Sequence, residues 1–306
     1  MCFRLSLPSL LLRVGVSLLL VTGIRPFAPA GAQPLRSDLS SSAVTISSLT
    51  NFTYAQNFNT LPNAGILLLS VLANPSPAPA LFGLQVARTG AGTDTLSLDD
   101  GGTSVGSVYG YRRLSSNDIA FGTLNSDTSG AGDFYYGFRF LNDTGGSIES
   151  MTLNYTGELW RSGQPGLSET LSFSSAVFSA NTGGLGGLGF SESSALSYTP
   201  TSPSATGALN GNLAANRTSL TETIRFTTPV ASGQEIWIRW IDRNTLPGSR
   251  DFDNGMAIDD LNITFTPTPA PNGATAALVG SVTGLVSWGG TRFRRQRRRR
   301  DTERGL

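Results

Sequence analysis

The chain contains no histidine, and all 22 of its basic residues are arginines, so lysine is absent too. Without histidine there is no Ser-His or Cys-His nucleophilic system and no ordinary zinc site. Without lysine, Schiff-base and P-loop chemistry are excluded. Cysteine occurs once, at Cys2, inside a segment expected to be removed. Disulfides therefore play no part in the fold, although an exported location would permit them. Helix-favouring segments are also missing from the middle of the chain, where Gly, Ser, Thr and Asn dominate and apolar residues alternate in short runs. Those signs predict an all-β protein, a single antiparallel β-sandwich of the jelly-roll kind spanning residues 33–266.

What the chain does contain is most distinctive at its ends. Arg4 and Arg13 precede an apolar stretch from Val14 to Ile24, and Ala30-Gly31-Ala32 stands before Gln33. Basic residues, an apolar core and a small-x-small site describe a secretory signal peptide, helical and cleaved after residue 32, with an uncleaved N-terminal anchor as the other reading. The tail, residues 267–306, opens on a Pro-rich spacer. Next comes an uncharged run from Ala274 to Gly290, carrying Trp288, and then Arg292, Arg294, Arg295, Arg297, Arg298, Arg299 and Arg300. About 17 to 25 apolar residues cross a bilayer as a helix, and a basic block stays on the cytoplasmic side. The tail thus predicts a transmembrane helix over 274–290 with the body facing outward. A second reading of the same arginines is a disordered basic tail that binds nucleic acid or anionic lipid.

The order Pro-x-Pro, short weakly apolar helix, arginine cluster resembles the PEP-CTERM sorting signal of Gram-negative bacteria. Pro269 and Pro271 occupy its proline positions, with Ala270 where the family has Glu, and residues 301–306 continue past the arginines. The resemblance implies an exosortase-type sorting protease as partner and an inner-membrane anchor. It also implies a final place at the cell surface or in the exopolysaccharide or biofilm matrix.

Charge divides unevenly along the chain. Three arginines belong to the N-terminal segment and eight to residues 292–304, which leaves eleven in the body against nineteen acidic residues. A body near −8 repels nucleic acid and anionic lipid and attracts cations.

Within the body, Phe134, Tyr136, Phe138 and Phe140 alternate with Tyr135, Gly137 and Arg139, so one aromatic face must be buried. After the Asn142–Gly146 turn, Met151, Leu153, Tyr155 and Gly157 continue the alternation as the return strand of a hairpin. Trp160 breaks the period, which predicts a bulge. Ile66 to Leu72 reads as a buried strand, and Gly183 to Gly189 as a flexible loop. Leu220, Glu222, Ile224 and Phe226 form one strand face. Ile236, Ile238 and Trp240 point inward, opposite Trp237, Arg239 and Ile241, and Ala257 to Phe265 closes the sheet. Gly157-Glu-Leu-Trp-Arg161, Trp237-Ile-Arg-Trp240 and Gly255-Met-Ala-Ile-Asp-Asp260 resemble the jelly-roll domains of secreted bacterial PEP-CTERM and lamin-tail-type proteins. These are similar in architecture to concanavalin-like and carbohydrate-binding modules.

Three constellations could carry chemistry. Asp242, Asp251, Asp253, Asn254, Asp259 and Asp260 lie within nineteen positions around one expected hairpin. Calcium takes six to eight such oxygens, and Asp251 to Gly255 offers them on a tight turn. The same acids could instead pair with Arg239, Arg243 and Arg250 and cap turns. Trp160, Tyr109 and Tyr111 are candidates for stacking on sugar rings, as exposed aromatics do; the other reading of the same rings is core packing that marks the fold. Glu158, Glu235 and Asp242 could supply a glycosidase acid and base. The sequence points to a non-enzymatic, surface-anchored protein of the envelope or polysaccharide matrix that contacts extracellular glycan. A secreted glycan-active hydrolase and a purely structural envelope component are the alternatives.

Overall fold

A computed structural model describes residues 35–48, 50, 52–61, 66–69, 81–92, 94–126, 130, 132–201, 203–245 and 252–268. The expected signal peptide, the 274–290 helix, Pro269, Pro271, the arginine cluster and Asp251 lie outside them. Among the described residues no helix is long and apolar enough to cross a membrane.

The described residues form sixteen strands. The first eight are β1 (Arg36–Ser40), β2 (Val44–Ile46), β3 (Thr53–Gln56), β4 (Ile66–Leu68), β5 (Leu84–Arg88), β6 (Thr95–Asp99), β7 (Ser107–Tyr111) and β8 (Ala120–Ser126). The rest are β9 (Phe134–Asn142), β10 (Ile148–Ser162), β11 (Leu171–Ser179), β12 (Ser191–Tyr198), β13 (Gly207–Ala208), β14 (Arg217–Val230), β15 (Gln234–Asp242) and β16 (Phe252–Pro267). They build two sheets. One runs β1-β5-β9-β15-β11-β12, with β2 also on β9; the other runs β13-β10-β16-β8-β7-β6-β4, with β14 on β10 and β3 on β16. Pairing is antiparallel except for β2 with β9 and β6 with β7.

Alternation explains how the sheets meet. Phe134, Tyr136, Phe138 and Phe140 of β9 and Ile236, Ile238 and Trp240 of β15 are fully buried, as are Met151, Leu153, Met256, Ile258 and Ile263 of the facing sheet. Their rings cross the gap: Tyr54 lies 5.4 Å from Phe138, Phe121 lies 5.4 Å from Tyr136, and Tyr155 lies edge-on to Trp240 at 5.3 Å. Each fully buried side chain of this size contributes roughly 1.5–3 kcal/mol, so the inner faces hold the sandwich together.

Several expectations need correction. β9 and β10 do not form a hairpin; they lie in different sheets. Both strands bury one apolar face, and that need is met as well across the core as within one ladder. β15 and β16 are likewise in opposite sheets, so the acids around them are not on one hairpin. β16 does not close its sheet but lies inside it, between β10 on one side and β8 and β3 on the other. Ile66 and Leu68 are 72% and 58% exposed on one face of β4, while Leu67 packs against the core and Leu69 is buried, so the run alternates rather than being buried on both faces. The bulge at Trp160 is present: pairing with β16 slips between Leu159 and Arg161.

Candidate functional site

Of the six expected calcium ligands, Asp251 lies outside the described residues and the other five do not share one hairpin. Asp253 and Asn254 are inside β16 rather than on a turn. Asp259 and Asp260 come six residues later, about 20 Å along the strand. Asp242 ends β15 in the opposite sheet, where Thr123 Oγ1 donates to its Oδ2 at 2.6 Å and Asn125 Nδ2 donates to its carbonyl at 3.0 Å. Among the described residues no three His, Cys, Asp or Glu side chains converge as a metal-ligand set. Two of the expected arginines have partners outside this set. Arg239 donates to Ser174 Oγ and the Leu185 carbonyl, while Arg243 pairs with Asp133 at 3.8 Å; Arg250 lies outside the described residues.

The structure instead assembles a buried acid cluster that includes Glu169, a residue the sequence did not single out. Thr245 Oγ1 donates to Glu169 at 2.6 Å and to Asp253 at 3.2 Å, and the Asn254 amide donates to Glu169 at 2.6 Å. Burial pushes Glu169 up to about 9, reinforced by the charges of Asp242 and Asp253. Burial also raises Asp242 to about 8. Its Oδ1, the Tyr136 hydroxyl and Asn125 Oδ1 have no hydrogen-bond partner among the described residues. These groups are 2% exposed or less, out of a substrate's reach.

The predicted stacking aromatics are also interior. Trp160, Tyr111 and Tyr109 are 0%, 1% and 4% exposed. They form a small cluster with Ala120, Leu124 and Ala257. Tyr111 stacks on Trp160 at 5.8 Å with 11° between planes. Loops seal the cluster: a Cβ on Gly211 would meet the Trp160 indole, and Arg161 donates to the Gly101 carbonyl at 2.9 Å. No ring face is left for a sugar. Beside them Glu158 accepts from Trp160 Nε1 at 2.8 Å, and burial raises it to about 7. Burial lifts Asp259 to about 9, against the hydrogen bond from the Asp260 amide.

Two hollows open on the described surface. One, of about 470 Å³, is lined by Ala55, Gln56, Asn57, Thr60, Asp260, Leu261 and Asn262. The other, of about 400 Å³, lies against β1, β5, β9 and β15, and its lining includes Ser37, Ser40, Gln85, Arg139, Asn181 and Trp237. Trp237 takes the outward position that alternation predicts, and Glu235 holds it by accepting from its Nε1 at 2.8 Å. The Gly-rich loop lies over this ring instead of standing free: Leu185 is buried with Trp237, and Phe178 and Phe190 pack beside them. A Cβ on Gly183 would sit 2.6 Å from Phe178 and 2.7 Å from Trp237 Nε1, so the close approach requires glycine there. Trp237 is 3% exposed and shapes the floor, while Ser37, Ser40 and Asn181 are exposed at the rim. Arg139 Nε donates to the Ser41 carbonyl at 3.1 Å, with the guanidinium 5.7 Å above the Trp237 ring. A polar outward residue beside an outward Trp on the next strand was the available sequence signal for Arg139.

No family model and no curated protein matches the chain. Among solved structures, an arabinose-bound α-L-arabinofuranosidase is similar at 10% identity and TM-score 0.36, over 76% of this chain and 31% of that one. A Clostridium thermocellum endo-1,4-β-D-xylanase with its carbohydrate-binding and catalytic modules, complexed with xylohexaose, aligns at 12% identity and TM-score 0.22, over 51% and 23%. A cyclase from Fischerella sp. TAU aligns at 10% and 0.25, over 73% and 89%. The chain thus spans about a third and a quarter of the first two. Scores this low leave the functional reading to the residues of this chain.

Proposed function

We propose that the protein is an exported, membrane-tethered, jelly-roll-like sandwich that contacts extracellular polysaccharide without catalysing a reaction on it. The observation that carries this reading is the groove over Trp237. A rigid sheet face supplies its floor, and serine hydroxyls, an asparagine amide and a guanidinium supply hydrogen-bonding groups around it. Saccharides need such directional polar contacts placed on a scaffold that does not rearrange. Export and tethering rest on the signal-like N-terminus and the apolar run with its arginine cluster. The Pro-rich spacer adds an exosortase-type protease as the partner that processes the tail.

The non-enzymatic part rests on the carboxylates. A glycosidase needs two of them flanking the scissile bond, about 5–9.5 Å apart. Among the described residues no carboxylate lines the groove over Trp237, and the other hollow has Asp260 alone. Glu158, Glu235 and Asp242 are all 2% exposed or less.

The test is retention of the purified full-length chain on immobilised polysaccharides, with Ser40→Trp as the blocking variant. Ser40 is exposed on β1, so a bulky ring there should fill the groove and abolish retention with little change in melting temperature. Retention unaffected by Ser40→Trp, or bond cleavage by the parent, would overturn the reading; retention on no glycan would leave a purely structural component.

A further inference from the structure

Among the described residues, the groove over Trp237 has one ionised side chain in its lining, Arg139, and no carboxylate. In a body with a charge near −8 that local balance is unusual. The side chain of Arg139 is 17% exposed, and that of Glu235, its acidic neighbour, is 2% exposed. Each oxygen of Glu235 accepts one hydrogen bond, Oε2 from Trp237 Nε1 at 2.8 Å and Oε1 from the Asn181 amide at 3.3 Å. Arg139 Nη1 stands 3.8 Å from Glu235 Oε1, an ion pair without a hydrogen bond. The Nε bond to Ser41 fixes the plane of the guanidinium and leaves its two terminal amino groups without a hydrogen-bond acceptor among the described residues. A planar fork held in this way matches a carboxylate in bidentate geometry better than it matches a neutral hydroxyl.

We propose that the groove recognises the carboxylate of an acidic sugar, so that the ligand is a uronate-bearing polysaccharide and Arg139 is the residue that reads its charge. This rests on the glycan-contacting reading above and narrows it to a chemical class. Ser37, Ser40 and Asn181 at the rim are placed to meet the hydroxyls of the same sugar.

The experiment compares retention of the full-length chain on polygalacturonate, on the same polymer fully methyl-esterified, on neutral dextran and on dextran sulfate. The expected result is retention on polygalacturonate that weakens at least about tenfold on esterification or in Arg139→Gln. Arg139→Lys should fall between, because it keeps the charge and loses the fork, and added salt should weaken retention. Arg225→Gln serves as a control, since Arg225 pairs with Glu149 on the exposed β14; it should change nothing. Equal retention on esterified polymer or dextran would overturn the inference while the glycan-contacting reading stands. Preference for dextran sulfate would overturn it in favour of sulfate. Retention unchanged in Arg139→Gln would overturn it too and place the charge contact elsewhere, the arginine cluster of the tail being the evident source. Binding to none of the four overturns the inference and the broader reading together.

Discussion

Asp242 illustrates what a single buried oxygen can do to a fold. Desolvation holds its proton on to about pH 8, against an ordinary 3.8. The folded state therefore binds this proton more tightly than the unfolded state does, and folding is favoured where the group is protonated. That contribution is complete below about pH 4 and is lost as pH rises through about 8. Glu169 and Asp259, both raised to about 9, act in the same direction. The melting temperature should fall between pH 5 and pH 9, reflecting a loss on the order of a few kcal/mol. Asp242→Asn should flatten part of that slope and melt above the parent at pH 9. A profile that rises over this range would show the acids to be charged in the folded state. Packing at the residue scale is equally strict at Gly137, where a Cβ would overlap the Ile238 carbonyl of the paired strand. Gly137→Ala should destabilise by about 3 kcal/mol, measurable by denaturant titration.

At the scale of elements, the loop from Gly183 to Gly189 changes meaning between sequence and structure. Its glycines suggest freedom, yet Leu185 is buried and Gly183 lies on Trp237 because no side chain intervenes. Gly183→Ala should lift the loop and cut polysaccharide retention, while global stability changes by no more than about 1 kcal/mol, since the main core is untouched. Thermal melting beside a retention assay would separate those effects. Strand identity was legible where alternation is strong: in β9, in β15 and along Leu220 to Phe226 it marked the inward faces correctly, and the break at Trp160 marked the bulge. Strand partnership was not legible, because periodicity fixes which side of a strand is apolar and leaves open which ladder it joins. That gap misassigned β9 with β10, placed the acids on one hairpin, and left Trp160, Tyr109 and Tyr111 open between sugar stacking and core packing. Their outward positions are covered by loops, which no strand pattern encodes. Arg139 and Glu169 escaped notice for the same reason, since their roles arise from neighbours far away in the chain.

The whole molecule is organised by non-local pairing. β16, the last described strand, lies between β10 on one side and β8 and β3 on the other, so the second sheet lacks its middle until the end of the body is made. Contacts of such sequence separation make folding slow. A chain ending at residue 245 should show no cooperative unfolding transition by calorimetry, whereas one ending at 268 should show the full one.

That central strand also leads directly toward the tail. If the chain is held at a membrane by its residues beyond Pro267, any drag on the body from a bound polymer enters the sandwich through β16. The component of that pull along the strand loads many hydrogen bonds on both flanks at once and slides the strand lengthwise, instead of peeling an edge one bond at a time. The attachment point is then among the mechanically strongest places in the sandwich.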